Sequence, residues 1–347
     1  MTATLPEDQR LHDISPRAFE HPADRAATAA LQKVPMLDVV VRKLIELGYE
    51  SAFRAEVTSG AVRIGPDQLP NVWADHVAAY ARLDLEPVPG LFVAQMPIAN
   101  AAAVGSGKPM VIVHSHTIEL LDQQELRTVL AHEAGHVLAD HVLYITALQI
   151  LLRLGARTPF GVIAGLPLFA VRLALLEWFR AAELSADRAA TLVNRDPLVT
   201  CRTLMTISSG IRSERLNLDA FIEQGRRYRE EEGISKLRRL GAELMLTHSR
   251  PVKRAHEVMA WVQSGEYDRI VAGEYVRRGG EAGLREEADA AQEHYAERFR
   301  AIFREAGEAM ASVGDQLAGA SGKASEVAAD AAEKLQEWLK GRGAPGA

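Results

Sequence analysis

A pair of histidines around a glutamate is the feature that most constrains this chain. His132 and His136 lie four residues apart and flank Glu133 in the run HEAGH. Asp122 is placed to cap the first amides of a helix here, and Glu125 three residues later completes a capping box. On a helix, side chains at i and i+4 leave the same face. The segment therefore predicts two imidazoles that converge on one point beside Glu133.

This spacing is typical of a zinc-binding helix. Histidine nitrogens bind Zn²⁺ at about 2.0–2.1 Å, and two of them on one helical face reach the same tetrahedral ion. A glutamate next to such ligands accepts a proton from a metal-activated water. The pattern predicts one Zn²⁺ per chain, with His132 and His136 as ligands and Glu133 as the general base. The alternative is two histidines at an ordinary helix surface.

The third ligand has two candidates in the next predicted helix, over 171–193. A catalytic zinc needs a third protein ligand and an open position. Two other zinc-peptidase patterns place the third ligand at position 142, or at position 155 or 156. This chain has Val142, Gly155 and Ala156 there, so neither pattern fits. Glu183 is favoured over Glu177 because Asp187, at i+4 on the same face, can accept a hydrogen bond from a ligand histidine. The alternative for Glu183 and Asp187 is an exposed acidic helix face.

Composition limits the remaining classes of function. The chain has 347 residues, enough for one large domain or two smaller ones. A net charge of −6 argues against a general nucleic-acid binder, which needs a clustered basic surface. Cys201 is the one cysteine, so an internal disulfide is excluded and a reducing, cytoplasmic location is expected.

The order of the patterns predicts a mainly helical α+β fold with a small sheet beside the zinc-binding helix. Short apolar runs bounded by glycine and proline, at 90–94, 97–101 and 109–113, predict the strands. We expect a flexible N-terminal arm over 1–35, a zinc metallopeptidase domain over 36–280, and an Ala/Glu-rich tail, helical or partly disordered, over 281–347.

The most apolar segment, 142–179, is interrupted by charged residues. Its longest uncharged stretch is shorter than the ~20 apolar residues that a spanning helix needs. We therefore expect a buried helical pair, with a membrane hairpin or an interfacial segment as the alternative. Its place between the two predicted ligand helices also suits a wall or lid of the site.

These motifs together resemble the HtpX and CAAX prenyl protease family. The resemblance covers about residues 35–265 and rests on segments that occur in the family's order and spacing: Asn100-Ala101, 111–113, Glu119-Leu121, Glu125-Leu126, 132–136 and 182–189. It implies that His132, His136 and Glu183 are ligands, that Glu133 is the base, and that Asp187 supports a ligand.

The resemblance also implies two substrate-contacting elements. The family's Asn-Ala element falls on Asn100 and Ala101, in a strand that binds substrate backbone by edge pairing. The family's late histidine, which stabilises the oxyanion, matches His248, and its arginine matches Arg254. The departure is that Pro251 follows His248 by three residues, whereas in the family proline follows at once.

A further departure is that the chain shows no N-terminal hydrophobic pair of the kind that anchors HtpX-like members. The sequence is therefore expected to belong to a soluble branch, and prenyl-protein processing is not expected. The expected function is hydrolysis of internal bonds in peptides or unfolded proteins, in protein quality control. Two alternatives stay open: a non-catalytic zinc scaffold whose C-terminal tail recruits a partner, and a protein with peripheral membrane contact. The sequence does not determine the oligomeric state.

Overall fold

A computed structural model describes residues 9–34, 37, 40–42, 44, 48–157, 162–231, 250–280, 295–302 and 304. Within this part, the longer helices are α1 (Pro22–Leu31), α2 (Tyr49–Gly60), α3 (Pro70–Arg82), α4 (Ser115–Leu120), α5 (Gln123–Leu138), α6 (Val142–Arg157), α7 (Val162–Asn194), α8 (Pro197–Ser209), α9 (Leu218–Glu231), α10 (Pro251–Gln263) and α11 (Glu266–Val271). The strands are β1 (Val62–Ile64), β2 (Gly90–Ala94), β3 (Ala101–Val104) and β4 (Met110–His114). The predicted class, mainly helical α+β with a small sheet, is confirmed.

The strands form one mixed sheet in the order β1-β2-β4-β3. β2 pairs with β4 in parallel, and the other two pairings are antiparallel. β3 is therefore an edge strand. It spans Ala101–Val104, so the strand predicted over 97–101 overlaps it only at Ala101. The backbone N–H of Asn100 donates to the Thr117 hydroxyl at 2.8 Å, and this hydroxyl donates to the Asn100 carbonyl at 2.7 Å. This exchange ties the chain to α4 just before β3 begins.

The predicted capping box starts helix α5. The Glu125 amide donates to Asp122 Oδ1 at 2.8 Å, and the Asp122 amide donates to Glu125 Oε2 at 3.1 Å. The other carboxylate oxygen of Glu125 accepts a hydrogen bond from the Thr206 hydroxyl at 2.9 Å. The start of α5 is therefore fixed both by its own cap and by a contact with α8.

Small residues bring α5 and α7 into close contact at the HEAGH motif. A Cβ atom added at Gly135 would lie 2.6 Å from the Cβ of Ala189 and 3.2 Å from the Cα of Ala186. Real Cβ atoms essentially never come within 3.0 Å of another heavy atom, so a side chain at position 135 would force the two helices to shift. The close crossing places the face of α7 that carries Glu183 directly against the face of α5 that carries His132 and His136.

Gly135→Ala is therefore expected to lower the free energy of unfolding. Overpacking costs about 1–3 kcal/mol, more than the roughly 0.8–1 kcal/mol that alanine gains over glycine in a helix interior. Gly60→Ala is the control, because a Cβ at Gly60 at the end of α2 meets nothing within 4 Å. Urea unfolding of both variants tests this. A Gly135→Ala protein as stable as the wild type would mean that the helices separate without cost.

Within the flexible arm expected over 1–35, the structure describes residues 9–34. Residues 9–34 pack on the domain, Ile14 and Phe19 are fully buried, and α1 lies against α7. The pattern of large apolar residues did not predict this packing, because the buried face of α1 consists largely of alanines. Residues 295–302 are helical with Phe299 fully buried. The domain division at 35/36 and 280/281 stays a prediction.

Most of the described apolar side chains of this segment lie in the hydrophobic core, whereas Arg153 is exposed. Ile145, Leu148 and Leu151 of α6 pack with Val171 and Leu175 of α7. Among the described residues, no single helix has the length and apolar character needed to cross a membrane. The pair Gln123–Leu138 and Val142–Arg153 meets that test, by length and composition only, when its two helices are taken together across a bend of 108°.

Candidate metal centre

Three predicted ligands meet where α5 and α7 cross. One donor atom each from His132, His136 and Glu183 lies within 4.8 Å of the other two. The two histidine Nε2 atoms are 3.1 Å apart, and Glu183 Oε1 lies 3.3 Å from His132 Nε2 and 3.2 Å from His136 Nε2. The structure thus brings one donor atom of each side chain to a single point, which we call the metal point.

The donor set and its spacing fit a tetrahedral zinc ion. Ligand distances of 2.0–2.1 Å and tetrahedral angles separate neighbouring donors by roughly 3.3 Å, close to the three separations of 3.1–3.3 Å observed here. Two imidazole nitrogens and one carboxylate oxygen also form a common catalytic donor set for zinc. The site therefore fits the ion that the sequence predicts.

The protonation of the two histidines differs. Burial lowers the pKa of His136 to about 3, which favours the neutral imidazole, the form that binds metal. Burial acts in the same direction on His132, but the Glu183 and Asp187 carboxylates outweigh it and raise the pKa of His132 to about 10. A metal ion bound at this site would therefore displace a proton from His132.

Asp187 and Arg254 contact the candidate ligands His132 and Glu183. Asp187 Oδ1 lies 3.1 Å from His132 Nδ1, which leaves Nε2 directed at the metal point. The Arg254 guanidinium donates to both oxygens of Asp187, at 2.6 and 2.7 Å, and to Glu183 Oε2 at 2.7 Å. Burial alone raises the pKa of Asp187, but Arg254 more than offsets it and holds the pKa below its usual range. Two buried carboxylates thus share one cation, which offsets the cost of burying them.

Glu133 is anchored by the edge strand. Its Oε2 accepts a hydrogen bond from the backbone amide of Ala103 in β3 at 2.6 Å. Glu133 lines a cleft of about 470 Å³ together with His132 and Glu183. The motif predicts that Glu133 lies beside the metal, but the contact with β3 depends on tertiary structure and has no local sequence signal.

The remaining predicted residues fall in three places. Asn100 and Ala101 line the same cleft. His248 lies outside the described residues. Glu177, the alternative third ligand, lies away from the histidines, in ion pairs with Arg180 and with Arg298.

Two residues outside the predicted site, His141 and Asp24, form a chain of contacts to His136 on the side away from His132 and Glu183. His141 is buried, and its Nδ1 lies 3.0 Å from His136 Nδ1. Asp24, within the expected N-terminal arm, lies 3.1 Å from His141 Nε2. The sequence signal that could have indicated this contact is the histidine at 141, just past the end of α5.

Comparisons with known proteins agree with this geometry. The Peptidase family M48 model matches residues 71–262, more than half of the chain. The plastoglobule-localized metallopeptidase 48, chloroplastic, of Arabidopsis thaliana is 36% identical over 272 residues, which are 75% of this chain and 76% of that protein. No solved structure gives a significant match. Members of this family are metal-dependent, generally zinc-dependent, and act on peptides or proteins. The predicted family resemblance is confirmed: the chain belongs to peptidase family M48 and is a metallopeptidase, a hydrolase.

Proposed function

We propose that this metallopeptidase is a zinc-dependent endopeptidase that binds one Zn²⁺ through His132, His136 and Glu183. Glu133 is the general base. The observation that supports this most directly is the spacing of the three donor atoms, 3.1–3.3 Å, which is that of tetrahedral zinc ligands. Glu133 lies in the same cleft, so a base is present beside the ligands.

The chain's own residues supply proton transfer and orientation. When bound, a zinc ion would act as a Lewis acid that activates water and polarises a peptide carbonyl. Glu133 accepts the proton of the attacking water and returns it to the leaving amine. The amide of Ala103 fixes one oxygen of Glu133 and so limits the carboxylate to one orientation. His248 is proposed to stabilise the oxyanion, on the family resemblance alone.

The outward edge of β3 supports substrate binding by strand pairing. The Ala103 amide points away from β4, towards Glu133. Backbone groups alternate in direction along a strand, so Ala101 offers its amide and carbonyl on the same outer side. Ala101 and Asn100 line the cleft. We propose that an extended peptide pairs with β3 at Ala101 and runs past the metal point.

Unfolded proteins as substrates and a role in quality control follow from the resemblance and stay predictions. A cytoplasmic location, peripheral membrane contact and the lack of nucleic-acid binding are also proposals. They rest, respectively, on the single cysteine, on the apolar segment 142–179 with the C-terminal tail, and on the net charge of −6. The Arabidopsis relative is named for plastoglobules of the chloroplast, which describes that protein. Against a non-catalytic scaffold stands Glu133, since a scaffold needs metal ligands but no anchored base.

Elemental analysis and a peptide assay test the proposal. The purified full-length protein is expected to hold about one zinc per chain and to cleave an internally quenched peptide blocked at both ends. Chelation should abolish cleavage, and added zinc should restore it, because the activated water requires the metal. Full cleavage by metal-free protein, or a purified protein that binds no zinc, would contradict the proposal.

A further inference from the structure

His132 and His136 each have a second ring nitrogen, Nδ1, besides the Nε2 atom at the metal point. The Nδ1 atom of His136 points away from the cleft. Its Nδ1 lies 3.0 Å from His141 Nδ1, and His141 Nε2 lies 3.1 Å from Asp24 Oδ2. All three side chains are buried, with 1–3% of their surface exposed. The chain of contacts therefore runs from the metal point, through the end of α5, to the N-terminal helix α1.

Only one placement of hydrogens satisfies these contacts when His136 binds metal through Nε2. The imidazole of His136 is then neutral, and its hydrogen must lie on Nδ1, so Nδ1 donates to His141. His141 must accept at Nδ1 and carry its own hydrogen on Nε2, which donates to Asp24. Asp24 as a carboxylate is an acceptor only. The carboxylate thus selects the tautomer of His141, and His141 selects that of His136.

The surrounding residues fix the orientation of this relay. Asp24 Oδ2 accepts a hydrogen bond from the Ser185 hydroxyl at 2.5 Å, and Asp24 Oδ1 accepts one from the Thr28 hydroxyl at 3.2 Å. Phe179 stacks on the His136 ring, with centroids 5.8 Å apart and an interplanar angle of 24°. Trp178 meets the His141 ring edge to face, at 5.5 Å and 89°. Each imidazole is therefore packed against an aromatic side chain as well as held by hydrogen bonds.

We propose that Asp24 and His141 are positioning residues of the metal centre and that the N-terminal segment is thereby part of it. This inference rests on the proposed zinc site. His132 is oriented directly by Asp187, whereas His136 is oriented by Asp24 through His141. Partners of this kind fix the ring orientation and raise the basicity of a ligand histidine. Both ligand histidines are thus supported by a carboxylate, one from α7 and one from α1.

Zinc affinity of the full-length protein, measured by competition with a chromogenic chelator, tests this inference. His141→Phe keeps an aromatic ring but removes both hydrogen bonds, and Asp24→Asn keeps the shape but removes the charge. We expect zinc to bind about 10–100-fold more weakly in His141→Phe, with a smaller loss in Asp24→Asn. Asp75→Asn is the control, because it makes the same change at another buried aspartate, which pairs with Arg127, and it should retain wild-type affinity.

The melting temperature of the metal-free proteins separates positioning from a merely structural role. A positioning role predicts that Asp24→Asn binds zinc more weakly than Asp75→Asn when the two metal-free proteins melt at similar temperatures, since both break a buried pair. Equal losses of affinity in these two variants would assign the effect to stability and overturn the inference. Wild-type affinity in His141→Phe and Asp24→Asn, with or without a lower melting temperature, would overturn the inference while leaving the zinc site intact. If His141→Phe does not fold, Asp24→Asn decides alone. A wild-type protein that binds no zinc would instead remove the proposed function, and this inference with it.

Discussion

Glu133→Gln is expected to retain zinc and the fold but to lower kcat/KM for peptide cleavage by about 10²–10⁴-fold, the usual contribution of a positioned general base. Glutamine has nearly the same size as glutamate, and its amide oxygen can still accept the Ala103 hydrogen bond that anchors the side chain. It cannot accept a proton from water at neutral pH. Metal content and cleavage of a quenched peptide, measured on the same preparations, test both halves of the prediction.

Glu119→Gln provides a matched control. It makes the same chemical change at an exposed position on α4, the helix preceding α5, and should leave zinc content and cleavage unchanged. Equal cleavage by the wild type and by zinc-loaded Glu133→Gln would contradict Glu133 as the base and favour the scaffold alternative. Loss of zinc in Glu133→Gln would show that the carboxylate supports the metal ligands and would contradict the expected retention.

Local spacing in the sequence predicts the parts of the site that lie on single helices. His132 and His136 converge because they are four residues apart on α5. Glu183 is distinguished from Glu177 because Asp187 lies one turn further along the same face. The capping box at Asp122 likewise needs no information beyond neighbouring residues. In each case a helix of known geometry converts sequence distance into spatial distance.

The parts that join distant segments were not predictable in this way. The amide of Ala103 reaches Glu133 across 30 residues, and Asp24 contacts His141 across a still longer separation. Backbone donors carry no sequence signal, and the packing of α1 depends on small alanines rather than on a strong apolar pattern. Sequence reasoning therefore finds the candidate ligands but misses the contacts that orient them, since these arise only once the helices and the sheet pack together.

Glu183→Gln should lose most of the bound zinc, because a neutral amide oxygen replaces the anionic ligand. It also removes a charge partner of Arg254, and breaking a buried ion pair by itself costs about 3–5 kcal/mol. Metal loss alone would therefore not separate ligation from destabilisation. Glu177→Gln makes the same change on the same helix, at a side chain that is also buried and also paired with arginine.

The two variants thus carry a similar folding penalty but differ at the metal point. We expect Glu183→Gln to lose zinc and Glu177→Gln to keep it, measured as zinc per folded chain after gel filtration. Equal losses in both variants would assign the effect to broken ion pairs. Loss confined to Glu177→Gln would make Glu177 the third ligand, against the 3.2–3.3 Å separations that join Glu183 to the two histidines. Because both variants keep His132 and His136 and both break a buried ion pair, a selective loss in Glu183→Gln is assigned to the metal point rather than to a general folding penalty.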